Sequence, residues 1–247
     1  IADPLDNCLQ RKSLAPQIEG CTAVVEGPAY SAGQKALAYR NRGNARAAAG
    51  ALAEALADLD AAIRLAPSDG AAFAARGEVR LSRGDHAGAI GDLEQAVRIG
   101  PRTASLLVAL GHARLVAGDA RAALADFDAA LAIEPESAVA LNNRGLAHRR
   151  LGELARAIAD YTAAIQLNPV YALAYANRGH AREADQHEQH RGDLEHLQVG
   201  EHQLVDVVAG GVHREQLRQP RGVDAQRLAV VQLDRRRSEV REQLLEH

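Results

Sequence analysis

The feature that most constrains this chain is a period of 34 residues. Gly43, Gly77, Gly111, Gly145 and Gly179 are spaced by it, as are Gly50, Gly84, Gly118 and Gly152. So are Ala55, Ala89, Ala123 and Ala157; Ala62, Ala96, Ala130 and Ala164; and Pro67, Pro101, Pro135 and Pro169. A repeat of this length means one supersecondary unit stacked on itself, each copy burying the apolar face of its neighbour. The composition agrees: Ala and other strong helix formers dominate the middle of the chain, and aromatic residues make up only 3%.

Each unit divides into two helices. The first is expected from about Ala36 to Ala49, ended by the left-handed conformation that Gly50 adopts readily. The second is expected from about Leu52 to Leu65, where Leu56, Leu59 and Ile63 recur at helical spacing. Asp85 and Asp119 follow their turn glycines and are placed to cap the second helices of their units. The closing Pro then stops the helix, having no N–H to donate. Ala in the fixed columns lets the two helices approach closely, while Leu59, Leu93, Phe127 and Tyr161 fill the space beside them.

These residues resemble the tetratricopeptide repeat family, whose unit is a 34-residue helix–turn–helix with small residues at the helix contacts and a closing Pro. Asn41-Arg42-Gly43, Asn143-Arg144-Gly145 and Asn177-Arg178-Gly179 are similar to a bacterial Asn-Arg-Gly subtype. The resemblance implies an all-α fold, a right-handed solenoid of antiparallel helix hairpins, with units at 36–69, 70–103, 104–137 and 138–171 and a half unit at 172–184. Leu107 and Leu141 replace the aromatic residue usual ahead of the glycine, which keeps those positions apolar.

Both ends depart from the period. Upstream, residues 1–35 read as a degenerate capping hairpin, in which Gln17–Val25 mimics the second helix at 157–165. Cys21 then occupies the place of Tyr161 and Cys8 that of His148, so the two either form a disulfide clamping the cap or remain thiols. A disulfide implies a periplasmic or secreted setting, and free thiols a cytoplasmic one. The pair is not Cys-x-x-Cys, which argues against redox chemistry, and Pro-Leu-Asp-Asn before Cys8 lacks the small residues of a lipoprotein anchor. A chain that begins with Ile and contains no Met is expected to be a mature form or a fragment.

Downstream, the columns call for Gly at 186, Ala at 191 and 198 and Pro at 203, where Gln186, Arg191, Gln198 and Gln203 stand. Residues 185–247 therefore read as an irregular or disordered tail, with Val205, Val207 and Val208 suggesting a short strand or loop. Two explanations are open: a genuine extension, or loss of the reading frame near codon 185, which requires another frame to restore a second helix ending in Pro near 203.

No catalytic constellation is present. Asp58, Asp92, Asp126 and Asp160 form one column, and Arg42, Arg76, Arg144 and Arg178 a matching one, read as ion pairs that contribute about 0–1 kcal/mol each if largely exposed. His187, Glu188, Gln189 and His190, with His196 beyond, fall short of the His-Glu-x-x-His spacing of a zinc protease, so no metal or cofactor is expected. Arg191-Gly192-Asp193 spells an adhesion tripeptide that is frequent by chance, and no phosphate-binding glycine loop occurs. A formal net charge of -3 argues against nucleic acid as a partner, and no apolar run approaches the length that spans a bilayer.

Binding is expected in the concave groove lined by the first helices. Its exposed stripe comprises Arg40, Asn41, Asn44, Glu78, Ser105, His112, Asn142, Asn143, Arg149, Asn177 and His180, with Leu81, Val108, Leu115 and Val116 as apolar contacts. Asn can donate to and accept from a peptide backbone, although Ala75 and Ala109 interrupt the row. A clamp for a C-terminal carboxylate would find Arg40 and Asn44 in the first unit but Ala75, Ser105 and Ala109 where its remaining polar groups belong. The expected function is thus a non-enzymatic scaffold or adaptor that holds a protein or peptide segment. The alternative is an accessory subunit that associates end-on, with itself weakly or with an enzyme, and leaves the groove unused.

Overall fold

A computed structural model of the chain describes residues 3–10 and 13–191. Ten helices follow in order: α1 (Pro4–Leu9), α2 (Leu14–Glu26), α3 (Ala32–Ala48), α4 (Leu52–Leu65), α5 (Gly70–Ser82), α6 (His86–Ile99), α7 (Ala104–Val116), α8 (Ala120–Ile133), α9 (Ala138–Arg150) and α10 (Leu154–Leu167). An eleventh, α11, covers residues 172–191. The described residues contain no strand. Consecutive helices pair as hairpins, and each second helix also packs on the first helix of the next unit. The result is an α-solenoid.

The hairpin turns are set by Gly50, Gly84, Gly118 and Gly152, whose φ angles of 82°, 80°, 95° and 78° lie where a side chain would be strained. Asp85 and Asp119 cap their helices as expected, accepting from the Gly88 and Ala122 amides at 2.9 and 3.0 Å. One boundary differs from expectation. Helix α3 begins at Ala32, not Ala36, under a capping box formed by Ser31 and Gln34. The period would place the Pro that closes the preceding second helix at 33, but Gly33 stands there, within the extra first turn of α3. That turn moves the preceding hairpin four residues out of the 34-residue frame, which is why α2 aligns with α10 only at an offset of 140. Helix α2 also extends beyond the expected Gln17–Val25 at both ends.

Within each hairpin a first-helix glycine receives a large side chain from the second helix. A Cβ on Gly43 or Gly77 would come within 2.9 Å of the Leu59 or Leu93 Cγ; on Gly111 or Gly145 it would come within 2.7 Å of the Phe127 or Tyr161 ring. All four incoming side chains are fully buried, an apolar transfer that favours the fold by roughly 1.5–3 kcal/mol each. Leu107 and Leu141, at the usual aromatic position, are buried as well. They belong to a cluster with Ala130, Leu131, Ala164, Ile165 and Ala174 that ties α7 through α11 together. In the first hairpin Cys8 and Cys21 are fully buried with their sulfurs 2.07 Å apart, at disulfide distance, beside Val24 and Ala38.

The Arg and Asp columns meet inside the hairpins rather than at the surface. Arg42 grips Asp58 through two hydrogen bonds of 2.9 and 2.7 Å, Arg76 grips Asp92 at 2.8 and 2.7 Å, and Arg144 grips Asp160 at 2.9 and 2.7 Å. All four acids of the column are buried. Unit three has Leu110 in the Arg column, and Arg114, one turn later, binds Asp126 through two hydrogen bonds instead. Each arginine also reaches back to the preceding second helix: Arg42 to Thr22, Arg76 to Asp60, Arg114 to Glu94, Arg144 to Asp128 and Arg178 to Thr162. The carboxylate hydrogen bonds raise the pKa of Arg76 and Arg144, whereas burial raises that of Asp126.

Two outcomes follow from this packing. Asp160→Ala removes the buried carboxylate that Arg144 grips while Asp128 still holds that guanidinium, so it should lose about 1–3 kcal/mol of stability in chemical denaturation. Arg178→Ala, which removes no carboxylate partner among the described residues, should lose far less. The Tyr161 hydroxyl is buried with no hydrogen-bond partner among the described residues, and burial pushes its pKa from 10.0 up to about 12. Unfolded, the phenol loses its proton near pH 10; folded, it keeps it until about pH 12, so the native state binds more protons and stability falls as pH rises through that window. Tyr161→Phe, matching Phe127 in the same column, should retain or slightly raise Tm at neutral pH and abolish that component of alkaline destabilisation.

Candidate functional site

First helices touch one another along the array, α3 on α5, α5 on α7 and α7 on α9, while no second helix touches another second helix among the described residues. The first helices therefore line the shorter, inner side of the stack, and the groove lies on their exposed faces. Its best-formed part is a cleft of about 460 Å³ lined by Asn44, Ala47, Ala48, Leu52, Ala71, Ala74, Ala75, Glu78, Val79 and Ser82. Small side chains leave this space open, and two of the expected groove residues, Asn44 and Glu78, border it. The Glu78 carboxylate has no ion-pair partner among the described residues. It is accessible to solvent along the open mouth, yet the surrounding walls desolvate it enough to raise its pKa above the ordinary carboxylate value.

The other expected positions divide into two groups. His112 and His180 are exposed and Asn143 and Arg149 half-buried, and none of the four makes a hydrogen bond or ion pair among the described residues. Four more are engaged within the fold. Arg40 is held by Asp69, both carboxylate oxygens lying 2.7–2.8 Å from its Nη1, and Asp69 also caps α5. Asn41 donates to the Cys8 carbonyl at 3.4 Å. Asn142 is fully buried and Asn177 nearly so, and the Asn177 amide donates to the Asn142 side-chain oxygen at 2.9 Å. The packing of α11 beside α9 turns these two toward each other instead of toward the groove. Leu115 is likewise a core residue, packed with Phe127 and Ala147, and Leu81 and Val108 pack against buried clusters, so only Val116 of that set is broadly exposed.

Sequence reading missed Asp69, Asp60, Glu94 and Asp128 as partners of the arginines. Asp60 and Asp128 stand two residues after the column acids, so the pattern Asp-x-Asp was there to be found in units one and three. His187 and His190 lie on exposed positions of α11. His196, residues 192–193 of the Arg-Gly-Asp sequence, Val205–Val208 and the remainder of the tail lie outside the described residues, as does the question of the reading frame. Helix α11 itself runs through 191, past the boundary at 184, where Gln186 replaces the turn glycine.

The Asn142–Asn177 contact is a structural bond. Asn142→Ala alone leaves the Asn177 amide buried and unpaired and should cost about 1–3 kcal/mol, measured by thermal or urea denaturation, whereas replacing both by Ala should cost little more than the single change.

Among the described residues, no helix is long and apolar enough to cross a membrane. Residues 34–102 and 138–171 each match a tetratricopeptide repeat family model. No curated protein matches the chain. Among solved structures it is similar to YrrB, a TPR protein with an unusual peptide-binding site, at 24% identity and a TM-score of 0.58 over 68% of this chain and 85% of that one. A tetratricopeptide repeat protein from Parabacteroides merdae matches at 18% identity and a TM-score of 0.62, covering 72% of this chain and 69% of that one. MamA from Desulfovibrio magneticus matches at 24% identity and a TM-score of 0.58, covering 64% and 90%. The hairpins, turn glycines and periodic contacts already described agree with these matches: residues 34–102 and 138–171 match the tetratricopeptide repeat, and the solved structures share the fold.

Proposed function

We propose that the chain is a non-enzymatic binding module that holds a segment of another protein in its inner groove, acting as a scaffold or adaptor. The observation that carries this reading is the cleft between α3 and α5, with its Ala47, Ala71, Ala74 and Ala75 floor and the Glu78 carboxylate at its side. Alanine walls accept an aliphatic side chain, and a partly desolvated carboxylate without a cation favours Lys or Arg beside it. The favoured ligand is thus an extended or helical segment carrying an aliphatic residue next to a basic one. Exposed Asn44, His112 and His180 and half-buried Asn143 supply further polar contacts along the same face. Tetratricopeptide repeats generally mediate protein–protein interaction, and YrrB, described as having a peptide-binding site, has the same fold. The Cys8–Cys21 pair at disulfide distance favours a periplasmic or secreted setting.

Panning a random peptide display library against the full chain tests the proposal. Aliphatic–basic sequences should be enriched, and the enrichment should fall at least tenfold with Glu78→Lys or with Ala75→Arg, which fills the cleft. Unchanged enrichment in both variants overturns the groove reading. The accessory-subunit alternative is favoured by a separate observation at the far end of the array, the open face of α11.

A further inference from the structure

Helix α11 occupies the position of a first helix and carries the complete receiving face of one, but it has no second helix among the described residues. In the earlier units Gly43, Gly77, Gly111 and Gly145 are covered by Leu59, Leu93, Phe127 and Tyr161; over Gly179 no atom of the described residues lies within 4 Å. Arg42, Arg76 and Arg144 each bind an acid on their own second helix, and Arg46, Arg80 and Arg114, one turn later, bind the acids at the same positions. Their counterparts on α11 are Arg178, which stacks on Tyr175 and donates to Thr162, and exposed Arg182. Neither has a carboxylate partner among the described residues. Tyr175 is 44% exposed, whereas Leu107 and Leu141 in its column are buried.

We propose that this face of α11 is a docking site for a single amphipathic helix from a partner protein, of the pattern small-x-x-Asp-large, the large residue being Leu, Phe or Tyr. The occupant's chemistry is defined by four internal examples: Ala55-x-x-Asp58-Leu59, Ala89-x-x-Asp92-Leu93, Ala123-x-x-Asp126-Phe127 and Ala157-x-x-Asp160-Tyr161. In each, the large residue seats on the glycine and the acid is gripped by a first-helix arginine: Asp58 and Asp92 by two, Asp126 by Arg114 and Asp160 by Arg144. Two guanidiniums one turn apart beside a bare glycine select for that acid and that side chain together.

Other sources of the helix are less suited. The chain's own continuation does not supply the pattern, because the period puts the small residue, the acid and the large residue at 191, 194 and 195, and the sequence has Arg191, Leu194 and Glu195 there. Nor does the chain turn back at 186, since the helix continues through Gln186 to 191. A second copy has its four such helices already buried in their own hairpins, with Leu59, Leu93, Phe127 and Tyr161 fully enclosed. A separate partner offering one free helix fits the site without unfolding anything.

The test uses a labelled peptide with the sequence of residues 152–169, lactam-stapled on the face that is exposed in α10, titrated against the full chain by fluorescence anisotropy. Saturable binding is expected. It should weaken at least tenfold with Gly179→Leu on the chain or with Ala in place of the acid that corresponds to Asp160 on the peptide. Arg178→Asp should weaken it similarly, and a peptide carrying Arg in place of that acid should recover part of the loss. Glu78→Lys should leave it unchanged, which separates this site from the groove. Absence of saturable binding by the stapled peptide, or equal binding to Gly179→Leu, overturns the proposal.

Discussion

The structure depends on one contact made again in each hairpin: a bare stretch of first-helix backbone at a glycine, covered by the largest side chain of the second helix. The Cβ clearances at Gly43, Gly77, Gly111 and Gly145 are all below 3.0 Å, so any side chain there would displace Leu59, Leu93, Phe127 or Tyr161. Close approach brings the Arg and Asp columns within hydrogen-bonding range and buries the acids, with the arginines buried or partly so. Once desolvated, such a pair adds little net stability compared with apolar packing, but it penalises any register in which one partner is left alone. The glycine contact supplies the close fit, and the ion pair makes that fit specific.

The arginines also couple units. Arg42, Arg76, Arg114 and Arg144 each reach forward to their own second helix and back to the one before, using Thr22, Asp60, Glu94 or Asp128. Nearest-neighbour coupling of this kind is what holds a solenoid together, since each repeat in such a fold packs on its neighbours. It has consequences for function. A face whose polar groups are consumed by this coupling cannot also read a ligand, which directs attention, among the described residues, to the small-residue cleft beside Glu78 and the receiving face of α11.

Much of this was legible in the chain. The turn glycines, the Asp85 and Asp119 caps and the buried Leu, Phe and Tyr column follow from local backbone preferences and from helical spacing, which act over a few residues. What escaped was set by side-chain choice between neighbours. Leu110 made the Arg column look broken, while Arg114 was already in place to reach Asp126 from the next turn. Asn142 and Asn177 read as a ligand-facing row, yet they bond to each other because α11 lies against α9. Arg40 and Asn41 looked free and are held by Asp69 and the Cys8 carbonyl.

The sequence by itself determined the unit, its two helices and its turns, because a 34-residue period with glycine, alanine and proline in fixed places admits few local structures. The same period fails at Gln186, Arg191, Gln198 and Gln203. Only the tertiary structure decided which polar residues face inward, since two residues on the same helix face differ in exposure once a neighbouring helix covers one of them. It also decided the start of α3, which gains a turn under the Ser31–Gln34 capping box. The receiving face of α11 likewise emerged only from the packing, because an uncovered glycine can be recognised only against four covered ones.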